Sequence, residues 1–421
     1  MRPTLTKQNM NFSSPIIFLF LHFLLLVSLV CPVYSSKISS YQLVNQTFLQ
    51  EQKFHKLKKA IATRLQQINK PAVKTIQSPD GDIIDCVMFH NQPAFDNPLL
   101  KEEYKQMDIP EIPKGHYQDD NFNHSSQLWR LSGESCPDGT IPIRRTKEED
   151  LLRASSISEF GKKTSDFETN DEKFEYAVQY VSAGEFFGAT AAINLWAPRL
   201  ETKNEVSASK IWVAAGDAGQ ESNTIEVGWQ VEPLLYGDNL PRLSMYWTND
   251  GYGKTGCYNL LCSGFVQTNK DIVIGGAIGP TSTYKGPQFG IILKIWKDPT
   301  TRNWWLTYDY GTLVGYWPSS LFTHLYYLAD EIQFGGIISN RRSTGSHTST
   351  RMGSGHFPYE GFAKAAFFRD IQVLDLNNTL VPLSDPKTLI SFPNCYDLEA
   401  GMYKGRNSFY YGGPGKNYKC L

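Results

Sequence analysis

Between residues 47 and 69 the apolar positions Phe54, Leu57, Ile61, Leu65 and Ile68 recur every three or four residues, and Lys70-Pro71 closes the run. That period predicts one amphipathic helix whose stripe packs on the protein itself. Ser78-Pro79-Asp80-Gly81-Asp82 then predicts a turn leading into a short strand around Ile83 to Met88. From 145 to 173 Lys, Asp, Glu and Ser dominate and the apolar period disappears, which predicts a linker. Beyond Phe174 the pattern becomes short β-branched and aromatic runs between turns: Tyr176–Val181, Thr190–Trp196, Ser209–Ala214, Thr224–Val231, Leu243–Thr248, Ile272–Ile278, Phe289–Trp296, Trp304–Tyr308, Gln333–Ser339 and Phe367–Leu374. Runs at this spacing predict a mainly β chain, an antiparallel β-sandwich preceded by a smaller α+β region.

Composition changes this picture at the N-terminus. Arg2 and Lys7 precede an almost continuous apolar run from Ile16 to Val33, ending at Val33-Tyr34-Ser35. This has the form of a secretory leader over residues 1–35, with an uncleaved membrane anchor as the alternative. Removing it leaves 39 basic against 42 acidic residues, so no dominant basic field is available for nucleic acid. Cys31 leaves with the leader, and Cys86, Cys136, Cys257, Cys262, Cys395 and Cys420 remain. An even set in a secreted chain predicts three disulfides, and order and spacing favour pairing each cysteine with the next along the chain. None of these cysteines shows the two-residue spacing of a zinc thiolate pair, so no metal and no cofactor are implied. The expected location is secreted, extracellular or in the cell wall, without stable membrane association once the leader is cut.

Several ordered stretches resemble the neprosin family of plant secreted proteins. They include Asp85-Cys86-Val87, Gln92-Pro93-Ala94-Phe95 and Cys136-Pro137 in the N-terminal part, then Ile225-Glu226-Val227-Gly228-Trp229-Gln230-Val231, Thr255-Gly256-Cys257-Tyr258, Gly264-Phe265-Val266-Gln267-Thr268 and Met352-Gly353-Ser354-Gly355-His356-Phe357-Pro358. The resemblance implies a precursor: leader 1–35, an activation-peptide-like region 36–145, a linker 146–173, and a neprosin-like β-sandwich domain 174–421. It also implies a glutamic endopeptidase that cleaves after proline, with peptide or protein substrates, proline-rich ones among them.

In that family two glutamates do the chemistry, one activating water while the other donates a proton or steadies developing charge. The resemblance puts the first on Glu226. Strand alternation sets Ile225, Val227 and Trp229 on one face and Glu226 on the other, where small neighbours would leave room for a peptide. The second family position follows the glycine pair of Ile332-Gln333-Phe334-Gly335-Gly336-Ile337, and it is Ile337. An isoleucine neither carries charge nor transfers a proton. Glu331, Gln333 and Ile337 share a face. Glu331 is too far along the strand to substitute, whereas Gln333 offers an amide for a substrate or water. The alternative to a peptidase is a non-catalytic sandwich that binds a peptide or a cell-wall polysaccharide. Ser354 with His356, and His347 with His356, are weaker constellations on turn-like sequence.

Overall fold

The computed structural model describes residues 40–100, 109–115, 123–163, 173–217, 219, 221–341 and 346–421. The expected leader, Cys31 included, lies outside them, as do residues 164–172 of the expected linker. Among the described residues no helix is long and apolar enough to cross a membrane. The chain divides into two compact units, Met1–Lys59 and Ala60–Leu421. The helix Ser40–Ile68 runs through the boundary between them. Its apolar stripe splits accordingly: Ile61 and Ile68 are buried, while Phe54 and Leu57 are exposed.

Strands are numbered β1 to β21 along the chain. One sheet has six strands in the order β10 (Arg242–Thr248), β9 (Asn223–Val231), β8 (Ser207–Ala215), β16 (Ala329–Asn340), β6 (Lys173–Phe186) and β19 (Lys387–Ile390). The other runs β11 (Val266–Gln267), β15 (Thr312–Trp317), β14 (Trp304–Tyr308), β13 (Phe289–Lys297), β7 (Gly188–Asn194), β17 (Ala366–Leu374), β21 (Arg406–Gly412) and β20 (Asp397–Tyr403). In it β18 (Leu380–Pro382) pairs with β17, and β3 (Asn123–His124) lies parallel to β13. Neighbours along both main sheets are antiparallel, as the spacing of the runs predicts.

The sheets share one core because alternate residues of each strand turn toward the other layer. From β9 these are Ile225, Val227, Trp229 and Val231, packed in one cluster with Ile211, Val213, Ile193, Ile291 and Phe368. Trp229 is fully buried and donates its indole N–H to the Asn194 carbonyl on β7 at 3.0 Å, so the largest side chain of the strand is also satisfied as a donor. Gly228 is required by close approach: a Cβ there would sit 2.0 Å from the Ser209 carbonyl oxygen.

A three-stranded sheet, β1 (Ala72–Gln77), β2 (Ile83–Met88) and β5 (Thr140–Arg144), lies N-terminal to the sandwich, and β4 (Ser126–Gln127) pairs with β12 (Ile278–Gly279). Buried Arg242 of β10 ties the small sheet to the large one, bonding Asp82 at 2.5 Å and Asp238 at 2.5 Å, while Arg144 reaches Asp82 at 2.9 Å. Within the expected linker, Glu148–Arg153 form a short helix, and Leu151 and Phe160 are buried with Ile61, Ile68, Leu235, Tyr236 and Tyr258. The disulfides are Cys86–Cys136, Cys257–Cys262 and Cys395–Cys420.

One predicted strand is nearly absent. Of Ile272–Ile278 only Ile278 enters a strand, β12, and the rest is a buried irregular thread because Gly275 takes a left-handed φ of +86° and Gly276 follows it, which breaks up a continuous ladder. The hairpin β20–β21 and strands β15, β18 and β19 form without a matching predicted run.

Candidate active site

Glu226 sits at the middle of β9, opposite Tyr246 on β10 and Trp212 on β8. As alternation predicts, its side chain leaves the core and belongs to the outer face of the six-stranded sheet. That face is not an open groove, however. Glu226 is 0% exposed, because residues 160–163 lie over it.

Two lysines converge on the carboxylate. Lys210, two residues along β8 from Trp212, donates to one oxygen at 2.9 Å, and Lys163 donates to the other from the covering segment. Tyr252 also donates its hydroxyl to the carboxylate at 2.8 Å. The Lys163 ammonium stands 4.9 Å from the ring centroid of Tyr246, 4.8 Å from Tyr252 and 5.9 Å from Tyr258, an aromatic cage that favours a desolvated cation. The segment is fastened beside this contact: Tyr258 donates its backbone N–H to the Gly161 carbonyl at 2.7 Å, and the Cys257–Cys262 bridge holds the Tyr258 loop.

Burial pushes the Glu226 carboxyl up, but the charges and hydrogen bonds of Lys163 and Lys210 outweigh it and hold the group at about 2. Burial drives Lys163 the other way, down to about 8, and repulsion from Lys210 adds to it while Glu226 opposes both. The asymmetry follows from the count of charges: one anion sees two cations, whereas each cation shares one anion. Burial, then the charge of Glu226, keeps Tyr252 well above its ordinary value, so it remains a donor.

A cavity of about 120 Å³ separates the segment from the sheet, room for several waters. Glu226, Lys210, Ala208, Gln230 and Ile337 line it from the sheet, and Phe160 and Lys163 from the cover. Thus the two positions that the sequence singles out do share one site. Ile337 is 8% exposed and packs with Val178, Ala208 and Trp212, so an apolar patch forms this wall of the cavity. Gln333 is not among the cavity's lining residues: it lies opposite Trp212, and its amide donates to Glu331. Lys163 and Lys210 went unread in the sequence. Lys210 carries a signal, a charge inside an otherwise apolar strand run, whereas Lys163 has none within its charged stretch.

Other constellations resolve into local pairs. His347 bonds Glu175 at 2.7 Å and His356 bonds Glu360 at 2.9 Å. His347 also lies near Cys395 and Cys420, but those sulfurs are spent in a disulfide and offer no thiolate to a metal.

A β-sandwich bearing a buried glutamate on its outer sheet face, covered by an N-terminal segment, has the form of a precursor whose site is masked. The Neprosin family model matches residues 203–414, half of the chain, and the Neprosin activation peptide model matches residues 75–186. The chain belongs to the Neprosin family. Among solved structures, Scytalido-glutamic peptidase with a peptide-based transition-state analogue is similar at 13% identity and a TM-score of 0.32, over 56% of this chain and 97% of that one. SCP-B, a member of the Eqolisin family of peptidases in complex with the tripeptide Ala-Ile-His, is similar at 11% identity and a TM-score of 0.32, over 57% and 97%. The segment over Glu226 lies inside the stretch matched by the activation peptide, so the chain is a peptidase-like precursor with its activation peptide on the site.

Proposed function

We propose that this protein is a secreted, extracellular member of the family whose cleft, once the segment bearing Lys163 is displaced, binds an extended peptide, proline-containing ones included, without hydrolysing it by a glutamate pair. The observation that carries this is the surroundings of Glu226: an apolar side chain, Ile337, in the same cavity wall at the position the family resemblance gives to a second carboxylate, and Lys210 seated on Glu226 from within the sheet. A carboxyl pair works by sharing a proton, which requires one member to be protonated at the working pH. Lys210 belongs to the sandwich, so it stays on Glu226 after the segment leaves and keeps that carboxylate ionised. A lone ionised carboxylate can accept a hydrogen bond from a bound peptide N–H but has no acid partner to protonate a leaving amine.

The test uses protein freed of its N-terminal segment, proline-containing peptides, product detection by mass spectrometry and binding by calorimetry. Wild type should bind and not cleave. Ile337→Glu should introduce cleavage at acid pH, Ile337→Gln should not, and adding Lys210→Gln to Ile337→Glu should raise the rate further by freeing Glu226 to share the proton. Strong wild-type cleavage that disappears in Glu226→Gln would overturn the proposal.

A further inference from the structure

The ten-stranded sheet carries a second feature, centred on Arg369 of β17. This side chain is only 5% exposed, and its guanidinium carbon lies 3.9 Å from the ring centroid of Phe367, 3.9 Å from Tyr403 and 4.9 Å from Phe362. Among the described residues no hydrogen bond or ion pair engages it. Other buried arginines here are consumed by acids: Arg242 by Asp82 and Asp238, Arg144 by Asp82 and Asp150. The acid next to Arg369 in sequence, Asp370, is taken by Arg406 at 2.8 Å. None of the Arg369 nitrogens is sealed away without a partner, and the side chain lines a cavity of about 260 Å³. Its donor edge therefore opens on that space while aromatic rings hold its faces.

A guanidinium fixed in this way is a planar fork of N–H donors suited to a carboxylate, and its hydrogen bonds to an anion are of the strong, charge-assisted kind. The rest of the lining describes what bears that carboxylate. Tyr359, 76% exposed, presents a ring at the rim, and such rings stack on the apolar faces of sugar rings. Glu399 and Ser408 line the same cavity, and Glu399 makes no ion pair with Arg369. Glu399 supplies an acceptor for hydroxyl hydrogens, which a sugar offers in number and a polyacidic peptide does not. We infer that this cavity binds a hexuronate unit of an acidic polysaccharide, with its carboxylate on Arg369, its ring against Tyr359 and a hydroxyl on Glu399.

The site lies on the other sheet from Glu226, so its test is independent of the peptide cleft. Full-length protein is titrated calorimetrically, with EDTA present, against an oligogalacturonate, a neutral cello-oligosaccharide of equal length and an oligoglutamate. Saturable binding of the oligogalacturonate alone is expected. Arg369→Lys, which keeps the charge but loses the fork, should weaken it at least ten-fold, and Tyr359→Ala should weaken it several-fold. Tyr359 is exposed enough that its removal leaves the fold intact, so that variant carries the test if Arg369→Lys misfolds. Absence of oligogalacturonate binding, equal binding of the neutral sugar, equal or tighter binding of oligoglutamate, or binding unchanged in Tyr359→Ala would each overturn the assignment.

Discussion

Replacing Lys163 by Met removes one cation from the buried carboxylate while keeping a stem of similar length against Tyr246, Tyr252 and Tyr258. The Glu226 carboxyl stands at about 2 rather than its ordinary 4.5, a shift worth roughly 3 kcal/mol at about 1.4 kcal/mol per unit. Lys163 and Lys210 share that effect, and the variant retains Lys210 at 2.9 Å and Tyr252 at 2.8 Å. The expected loss at pH 7 is therefore at most about 2 kcal/mol, below the ~3–5 kcal/mol of a fully stranded buried charge, because the variant also sheds the burial cost that lowers Lys163 to about 8. In thermal unfolding of the Ala60–Leu421 unit this is a fall of up to roughly 3 °C. The pH dependence separates an ion pair from lost packing. A carboxylate with a depressed value contributes stability above its unfolded value near 4, and that stability is lost as pH falls through about 2. The variant's carboxyl protonates at higher pH, so the gap between variant and wild type should narrow by about 1.4 kcal/mol per pH unit below that point and be small by about pH 2. Hydrogen exchange over residues 160–163 should rise in the variant at pH 7. An equal loss at pH 7 and pH 2, or no loss at pH 7, would refute the ion-pair account of how the segment is held.

Two further outcomes concern the frame around the site. Arg242→Met leaves Asp82 with only Arg144 and the partly exposed Asp238 without its guanidinium, so unfolding at pH 7 should show a loss of about 2 kcal/mol, again below the ~3–5 kcal/mol of a fully stranded buried charge. Burial raises Asp82, but Arg144 and Arg242 lower it further, so this loss should shrink as pH falls through its depressed value. Gly228→Ala sets a Cβ 2.0 Å from the Ser209 carbonyl in mid-sheet, where no flexible side chain can give way, and should cost at least the ~1–3 kcal/mol of core overpacking, read as a lower urea midpoint.

Much of the sandwich was legible because a strand with one buried face must alternate. Ile225, Val227 and Trp229 announce the core side of β9, which sends Glu226 to the other face before any partner strand is known. Local pattern failed where pairing, not composition, makes the strand. Ile272–Ile278 has the apolar content of a strand, but Gly275 and Gly276 turn it into a thread. The hairpin β20–β21, with Glu399, Gly401, Arg406 and Asn407, has little β-branched content and is a strand pair because Lys404-Gly405 turns the chain back on itself beside β17. Ile337 drew notice only through the family resemblance, and the structure sets it in the wall of the Glu226 cavity.

The sequence by itself determined which residues form the layers and which face Glu226 takes, since each depends on spacing within one short segment, whereas the reading of position 337 as the place of a second glutamate came from the family resemblance. Only the tertiary structure decided that Glu226 is buried, that Lys163 and Lys210 hold it charged, and that Arg369 keeps an open donor edge. Lys163 is 63 residues from Glu226, and Arg369 is defined by the rings of Tyr403 and Phe362 from other segments. A charge's state depends on every group within a few ångströms and on the water excluded around it, and folding brings those groups together from parts of the chain that carry no local sign of one another.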